Sequence, residues 1–308
     1  KAFAEANLYS MRGAKGEFKV LMAKQNGVTP DHIAVGFGSG EILKKGALMN
    51  GIDKGELVSP SLTFETINRY AKTMKSNVKR IPMDDNIGIN LDRMASAVSK
   101  KTKLVYLCNP NNPTGQLMDS DELESFCSKI SKKATVFVDE AYHEYVMDPN
   151  YRSMIGLVKE GKNIIVSRTA SKVHGLAGLR VGFAITTPEI AKRMESYLTD
   201  SLNIVGLRAA IASYQDERFQ AFSIEQNNRA RKVVTDFLDE KGIQYLDSQA
   251  NFIFIKTGIQ ISDFQPGMEK YGVIVGRPFP PYTDWCRLSM AKPEEMERFN
   301  HGFHKVLG

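Results

Sequence analysis

Short apolar stretches alternate with amphipathic ones through the first two thirds of the chain, and this alternation limits the fold more than any other feature. Three of the apolar stretches have the length and the β-branched and aromatic content of buried strands: KLVYLC (103–108), ATVFV (134–138) and NIIVS (163–167). The alternation of strand and helix predicts an α/β domain with a mainly parallel sheet, flanking helices and right-handed crossovers.

The segment after the first of these strands predicts a helix with a defined start. Asp119 is a suitable N-cap, and Glu122 stands at the third helical position. Apolar residues then fall at i, i+3, i+4 and i+7, namely Leu123, Phe126, Cys127 and Ile130. We therefore expect a helix that packs this face against the sheet.

The pattern changes after about Asn203, where a long helical stretch runs to Glu240. Three strand-like segments follow, NFIFIK (251–256), YGVIVG (271–276) and WCRLSM (285–290), and a last helix is expected after Pro293. This pattern predicts a smaller α+β unit. We divide the chain into an N-terminal segment (1–20), a large domain (21–213) and a small C-terminal domain (214–308).

Composition excludes several classes of protein. The 308 residues are 42% hydrophobic and 25% charged, which is ordinary for a globular protein. No apolar run approaches the roughly 20 residues that span a bilayer, and no signal peptide is visible, so we expect a cytoplasmic protein without a membrane partner. The chain starts at Lys1 and not at methionine, so an upstream segment could be missing.

The formal charge of +6 does not predict a nucleic-acid partner, because the lysines are scattered among aspartates and glutamates. A modest positive balance suits anionic small molecules equally well. The three cysteines, Cys108, Cys127 and Cys286, are far apart and lack CxxC spacing, and the five histidines form no HExxH-like pair. We therefore expect neither a disulfide framework nor a metal site.

Polar residues follow three of the strands at the edge where open α/β sheets bind ligands. CNPNNPTG presents Asn112, VDEAYHEY presents Asp139 and Tyr142, and SRTASKVHGLAGLRVG (167–182) presents Lys172. Each of these residues has a structural explanation: a turn for Asn112, a helix cap for Asp139, a surface position for Lys172. Their convergence at one sheet edge favours a functional site.

A glycine-rich turn adds a fourth element. IAVGFGSGEIL (33–43) predicts a strand, a turn and a helix start, where backbone N–H groups of Gly38, Ser39 and Gly40 could bind a phosphate. The same residues could be a degenerate G-x-G-x-G dinucleotide fingerprint. That interpretation is weaker, since the final x-x-G spacing is absent.

Taken together, these motifs resemble a known family. NPNNPTG, then DEAY, then SK with an arginine eight residues later resemble the fold-type-I pyridoxal-phosphate (PLP) aminotransferases. Within them, GSGEIL, CNPNNPTG, VDEAYHEYV, SKVHGLAGLRVG and SQANF resemble the histidinol-phosphate aminotransferase branch. The resemblance implies a large domain with a mainly parallel seven-stranded sheet flanked by helices, and a smaller α+β domain.

The resemblance also implies how PLP is held. Lys172 would form a Schiff base with the aldehyde of the cofactor, and Asp139 would keep the pyridine nitrogen protonated. Asn112 and Tyr142 would hydrogen-bond the ring hydroxyl, and Phe64 is the candidate to stack on the ring. The phosphate would be bound by a further set of residues: Ser39, the backbone at Gly40 and Glu41, Thr169, Ser171 and Arg180.

The remaining implied residues concern the substrate and a second subunit. Arg287 matches the arginine that binds the substrate α-carboxylate, and Arg277 lies near the arginine that meets the phosphate of histidinol phosphate. Tyr9 stands where the family has a tyrosine that reaches the phosphate of the neighbouring subunit, which implies a homodimer with shared active sites. YSMR replaces the family's Tyr-Pro-Asp there, and the substrate-covering arm motif is not seen before Ala2.

The predicted function is amino transfer between an amino acid, or histidinol phosphate, and a 2-oxo acid by a ping-pong mechanism. The nearest alternative is another PLP enzyme, such as a decarboxylase or lyase, which would use Lys172 and Asp139 in the same way. An oxidoreductase that binds NAD through GFGSG and a non-enzymatic binding protein on the same scaffold are weaker alternatives.

Overall fold

A computed structural model describes residues 12–51, 54–197 and 201–308. The prediction for Tyr9 therefore lies outside the described residues. The larger of two sheets has seven strands, whose spatial order is β1 (Ile33–Phe37), β7 (Val181–Thr186), β6 (Ile164–Thr169), β5 (Thr135–Asp139), β4 (Thr102–Cys108), β2 (Glu56–Pro60) and β3 (Asn77–Ile81). Only β7 runs antiparallel to its neighbours, β1 and β6. The prediction of a mainly parallel seven-stranded sheet is confirmed.

The central strands are apolar throughout because both faces of the sheet are covered. On β4, Val105 and Leu107 face one core, while Leu104 and Tyr106 face the other. The first core packs against α1 (Arg12–Asn26), α4 (Leu91–Ala97), α5 (Ser120–Ile130), α6 (Ile155–Lys159) and α8 (Ile204–Gln215). The second packs against α2 (Gly38–Gly51), α3 (Thr66–Thr73) and α7 (Pro188–Ser196).

The start of α5 follows the prediction. The Asp119 side chain accepts hydrogen bonds from the backbone nitrogens of Asp121 and Glu122, at 2.9 and 3.0 Å. All four residues of the predicted apolar face are buried in the first core. A side-chain acceptor at the N-cap satisfies N–H groups that have no partner inside the helix, which explains why the helix begins here.

A smaller three-stranded antiparallel sheet forms the C-terminal part, in the order β10 (Trp285–Ser289), β9 (Phe252–Lys256) and β8 (Tyr245–Leu246). It packs with α9 (Glu217–Glu240), α10 (Ile261–Glu269) and α11 (Pro293–Leu307). An apolar cluster joins this unit to the larger one, with Leu62, Met83 and Ile87 from the larger unit and Leu246, Phe254, Phe279 and Trp285 from the smaller. The described part of the chain has no helix that is both long enough and apolar enough to span a membrane.

Two sequence predictions were wrong in this region. YGVIVG (271–276) forms no strand: Ile274 is 89% exposed, and the Gln265 side chain donates to the carbonyls of Val275 and Gly276, which a neighbouring strand would otherwise use. The third strand of the small sheet is instead β8, which has only two residues. The long helical stretch is also interrupted, because Asp216 caps a new helix by accepting from the backbone nitrogen of Phe219 at 3.0 Å.

Candidate active site

The carboxyl ends of β4, β5 and β6 lie side by side. Cys108 on β4 pairs with Asp139 on β5, and Asp139 pairs with Ser167 on β6, so the three strands end close together at one edge of the sheet. The loops that follow carry Asn112, Tyr142 and Lys172. The sheet register therefore brings these predicted residues to one edge.

Asp139 is a carboxylate held in an apolar environment. It is 2% exposed and follows the alternation of β5 toward the second core. Its Oδ1 accepts from the Ser167 hydroxyl at 2.7 Å, and its Oδ2 accepts weakly from the Tyr106 hydroxyl at 3.4 Å. Burial raises the pKa of Asp139 to about 6, although Ser167 and Lys172 act in the opposite direction. The carboxylate keeps acceptor capacity for one more donor.

Lys172 lies beside this carboxylate. Its amine is 5.0 Å from the centroid of the Tyr142 ring, and it makes no hydrogen bond to the part of the chain that the structure describes. Burial, followed by the positive charge of Arg287, lowers the pKa of Lys172. Both effects favour the neutral amine, which is the form that can attack a carbonyl or accept a proton.

A chain of hydrogen bonds links the two units of the fold at this point. Arg287, on β10, donates from Nη1 to Oδ1 of Asn112 at 3.0 Å, and Nδ2 of Asn112 donates to the Tyr142 hydroxyl at 3.0 Å. The Arg287 guanidinium also lies 5.3 Å from the centroid of the Phe252 ring. Its Nε is buried and has no hydrogen-bond partner among the described residues. An arginine donor in this state suits an anionic ligand.

The start of α2 lies near this group through Arg180, whose charge acts on Lys172. This helix begins at Gly38 directly after β1, and Arg180 donates to the carbonyl of Phe37 at 3.3 Å and to that of Ala177 at 2.6 Å. A cavity of about 880 Å³ opens here, and the charged side chains on its wall are Glu41, Lys44, Lys45, Arg69 and Arg180. A helix N-terminus with four cations against one carboxylate suits a phosphate group.

The predicted phosphate-binding hydroxyls lie on the end of β6 and the turn after it. The Thr169 hydroxyl donates to the Ser171 hydroxyl at 2.8 Å, and the Ser171 backbone nitrogen donates to Thr169 at 3.1 Å. Glu41 uses its carboxylate within the turn, where it accepts from the Phe37 nitrogen at 2.7 Å. The Glu41 carboxylate also lies 3.5 Å from the Lys45 amine.

Gly182 makes the close approach of α2 to β7 possible. A Cβ atom at this position would collide with the backbone nitrogen of Ser39 and the carbonyl carbon of Gly38. We expect Gly182→Ala to destabilise the fold by at least about 1–3 kcal/mol and to weaken PLP binding, because the start of α2 must move. Thermal denaturation and cofactor titration of the apoprotein measure the two effects.

Gly178→Ala is the matched control, since nothing lies within 4 Å of a Cβ at that glycine, which precedes β7. A Gly182→Ala protein that melts and binds PLP like wild type would contradict the packing argument.

Phe64 lies in the loop between β2 and α3, not on a helix. It is half-buried against the second core, which includes Tyr142, Val173 and Phe252. Sequence reasoning missed Asn111, which holds this loop: it accepts from the Thr63 hydroxyl at 2.8 Å and donates to the Leu62 carbonyl at 3.1 Å. Asn111 thereby ties the Phe64 loop to the loop that carries Asn112.

Arg277 lies at the surface of the smaller unit. Its side chain is exposed, with the guanidinium carbon 4.3 Å from the centroid of the Phe279 ring and Nη1 donating to the Pro278 carbonyl at 2.9 Å. A Cβ at Gly276 would contact the backbone oxygen of Arg287, so this segment runs beside β10.

The chain matches the family model of the class I and II aminotransferases over residues 1–302. It therefore belongs to that family, and it is a PLP-dependent aminotransferase. Histidinol-phosphate aminotransferase 2 of Pasteurella multocida (strain Pm70) is 33% identical over 294 residues, which cover 94% of this chain and 80% of the relative. The chain thus falls in the branch that resembles histidinol-phosphate aminotransferases, as its motifs predicted.

Solved structures agree with this placement. A protein from Erwinia carotovora atroseptica SCRI1043, provisionally named a histidinol-phosphate aminotransferase, has a TM-score of 0.94 and 32% identity, with 98% of this chain and 88% of that one covered. The histidinol-phosphate aminotransferase of Sinorhizobium meliloti, solved with pyridoxal-5'-phosphate, has a TM-score of 0.88 at 23% identity, with 96% and 81% covered. The latter likeness concerns the fold alone.

Proposed function

We propose that this aminotransferase moves an amino group between histidinol phosphate, or an amino acid, and a 2-oxo acid at the edge of the sheet formed by β4, β5 and β6. The observation that carries the proposal is Arg287, whose buried and unpartnered Nε lies in a guanidinium already bonded to Asn112. A carboxylate bound there is held beside Lys172, whose pKa is lowered by burial and then by the same arginine.

The residues fit PLP on two observations. Buried Asp139 has acceptor capacity left for a pyridinium N–H, and its pKa, raised by burial, would be lowered again by such a cation. At the other end, the N-terminus of α2 and Arg180 share a cavity that suits a phosphate. We assign PLP to Asp139, Lys172, Asn112, Tyr142 and Phe64 on the ring side, and to Ser39, Gly40, Glu41, Thr169, Ser171 and Arg180 on the phosphate side.

In the proposed mechanism the protein supplies charge, orientation and one proton carrier. PLP, when bound, supplies an aldehyde that takes up amines and a ring that accepts electrons. Asp139 holds a positive charge at the ring nitrogen, and Arg287 orients a carboxylate. Lys172, whose pKa is lowered by burial and by Arg287, takes a proton at its Nζ and returns it.

We further propose that two copies of the chain form a dimer with shared sites and that the division near residue 213 separates two domains. The dimer rests on the implied role of Tyr9 at a neighbouring phosphate. The three cysteines are free and buried, which agrees with the reducing cytoplasm that we propose as the location.

Substitution of the two arginines should separate the two substrates. Arg287→Lys should slow the half-reaction with a 2-oxo acid about 10- to 100-fold, since a hydrogen bond to a charged group contributes about 1.5–3 kcal/mol. The half-reaction with histidinol phosphate, which has no carboxylate, should change less. Arg277→Gln should show the reverse pattern. Single-turnover spectra with each substrate measure both rates.

Equal losses for both substrates in both variants would contradict these assignments. Amino transfer from amino acids with none from histidinol phosphate in the wild type would instead assign the enzyme to amino acids alone.

A further inference from the structure

A buried polar cluster lies beside the turn that carries Lys172, and the mechanism above does not use it. It consists of Glu144, His174, Ser213 and Tyr214. Nε2 of His174 and the Tyr214 hydroxyl are buried without a hydrogen-bond partner in the described residues. Oε1 of Glu144 lies 3.1 Å from Nε2 of His143, but neither carboxylate oxygen has an aligned hydrogen bond among the described residues. Buried polar atoms nearly always have partners, so we expect ordered water to bridge these groups.

His174 is the centre of the cluster. It is 2% exposed, its Nδ1 lies 2.9 Å from the Ser213 hydroxyl, and its ring lies 3.9 Å from the Tyr214 ring centroid. Nε2 faces Oε1 of Glu144 at 3.7 Å, which is one water or a small shift from a direct hydrogen bond. His174 therefore contacts α8 on one side and the segment after β5 on the other.

The chain positions of these residues connect the cluster to the active site. His174 is two residues after Lys172, in a turn closed by the bonds from Leu176 N to Ala170 O at 3.0 Å and from Gly175 N to Lys172 O at 2.9 Å. Glu144 is two residues after Tyr142, the ring over which the Lys172 amine lies. The contact between Glu144 and His174 thus joins the two turns that carry the reacting amine and its neighbouring phenol.

Val173 anchors the same turn to the second core, together with Tyr142. Both residues that follow Lys172 are consequently fixed, one by apolar packing and one by polar contacts. We propose that His174 and Glu144 are positioning residues, which hold the Lys172 turn against the Tyr142 turn so that the amine meets the cofactor in one orientation. The proposal rests on the proposed role of Lys172 as the lysine that attaches PLP.

His174→Phe tests the proposal, because it keeps a ring over Tyr214 and removes both nitrogens. We expect kcat to fall about 10- to 100-fold with KM nearly unchanged, the effect of a small misplacement of a reacting group. Covalent attachment of PLP to Lys172 in the apoprotein, trapped with borohydride and located by peptide mass spectrometry, should slow by a similar factor. The pH titration of the visible band of the holoenzyme should also move.

Two further variants show whether Glu144 and His174 act as a pair. His174→Gln places an amide near Nε2 and should recover part of the loss. Glu144→Gln added to His174→Phe should cost little more than His174→Phe alone, since the contact is already absent. This double variant also replaces the carboxylate that His174→Phe leaves with His143 as its charged neighbour, so it serves as the folded test protein if His174→Phe does not fold.

Phe18→Leu is the control for general loosening, because Phe18 packs on the Tyr214 ring without a polar atom. The proposal is overturned if His174→Phe attaches PLP and turns over like wild type, or if Phe18→Leu reproduces its losses. Failure of Lys172 in the wild-type protein to attach PLP would overturn the proposed function itself. Failure of the positioning proposal can therefore be distinguished from failure of the proposed function.

Discussion

Lys172→Ala will lose covalent PLP attachment completely and will lose at least about 10²- to 10⁴-fold in transamination rate, the usual contribution of a positioned acid–base group. Lys172 is the lysine that the family resemblance places at the sheet edge with Asp139. Its pKa is lowered by burial and by Arg287, and a lysine elsewhere would lack these surroundings. The rate is measured with a saturating amino donor, and attachment is measured by borohydride trapping and mass spectrometry.

Added small primary amines should restore part of the activity of Lys172→Ala, because the cavity left by the side chain can admit a proton carrier. Lys162→Ala is the control for loss of a lysine elsewhere, since Lys162 pairs with Glu160 away from the site. Turnover close to wild type in Lys172→Ala, or trapped PLP on another lysine, would exclude the assigned role.

Asp139→Asn should lower the transamination rate about 10²- to 10⁴-fold while PLP still attaches to Lys172. Removing one partner of a buried ion pair costs about 3–5 kcal/mol, and each 1.36 kcal/mol is tenfold in rate. The asparagine keeps the shape of the side chain, and its Oδ1 can still accept from one of the two hydroxyls, that of Ser167 or that of Tyr106. Stopped-flow half-reactions and the spectrum of the holoenzyme measure the effect.

The same substitution, which slows the reaction, should make the apoprotein more stable at neutral pH. The folded pKa of Asp139, about 6, lies above its ordinary value of 3.8, so the folded state binds the proton more tightly than the unfolded state. Stability from this group is present below pH 3.8 and is lost as the pH rises through about 6. Asp139→Asn apoprotein should therefore melt above wild type at neutral pH and approach it in acid. A lower melting temperature at neutral pH would contradict this.

Much of the fold could be predicted because it depends on local pattern. Strands β4, β5 and β6 are apolar runs covered on both faces, and α5 has its cap and apolar face within twelve residues. The strand prediction at 271–276 failed for a reason that is not local. Whether 271–276 forms a strand depends on which neighbour offers hydrogen bonds, and there Gln265 takes the carbonyls.

The site residues also separate into those that local sequence predicts and those that depend on distant segments. Asn112, Asp139, Tyr142 and Lys172 follow predicted strands, so the sheet alone brings them together. Asn111, His174 and Glu144 could not be found from sequence, because their partners come from segments distant in the chain: the Phe64 loop for Asn111 and α8 for His174.

The proximity of Arg287 to Lys172 has a thermodynamic consequence. After burial, the guanidinium charge is the main reason why the amine holds its proton weakly. An anion that neutralises Arg287 weakens this repulsion, so a bound carboxylate raises the pKa of Lys172. Reciprocity requires that carboxylates bind more tightly as the pH falls and Lys172 becomes protonated. Anion affinity and proton affinity are thus two measurements of a single coupling energy between β10 and the turn after β6.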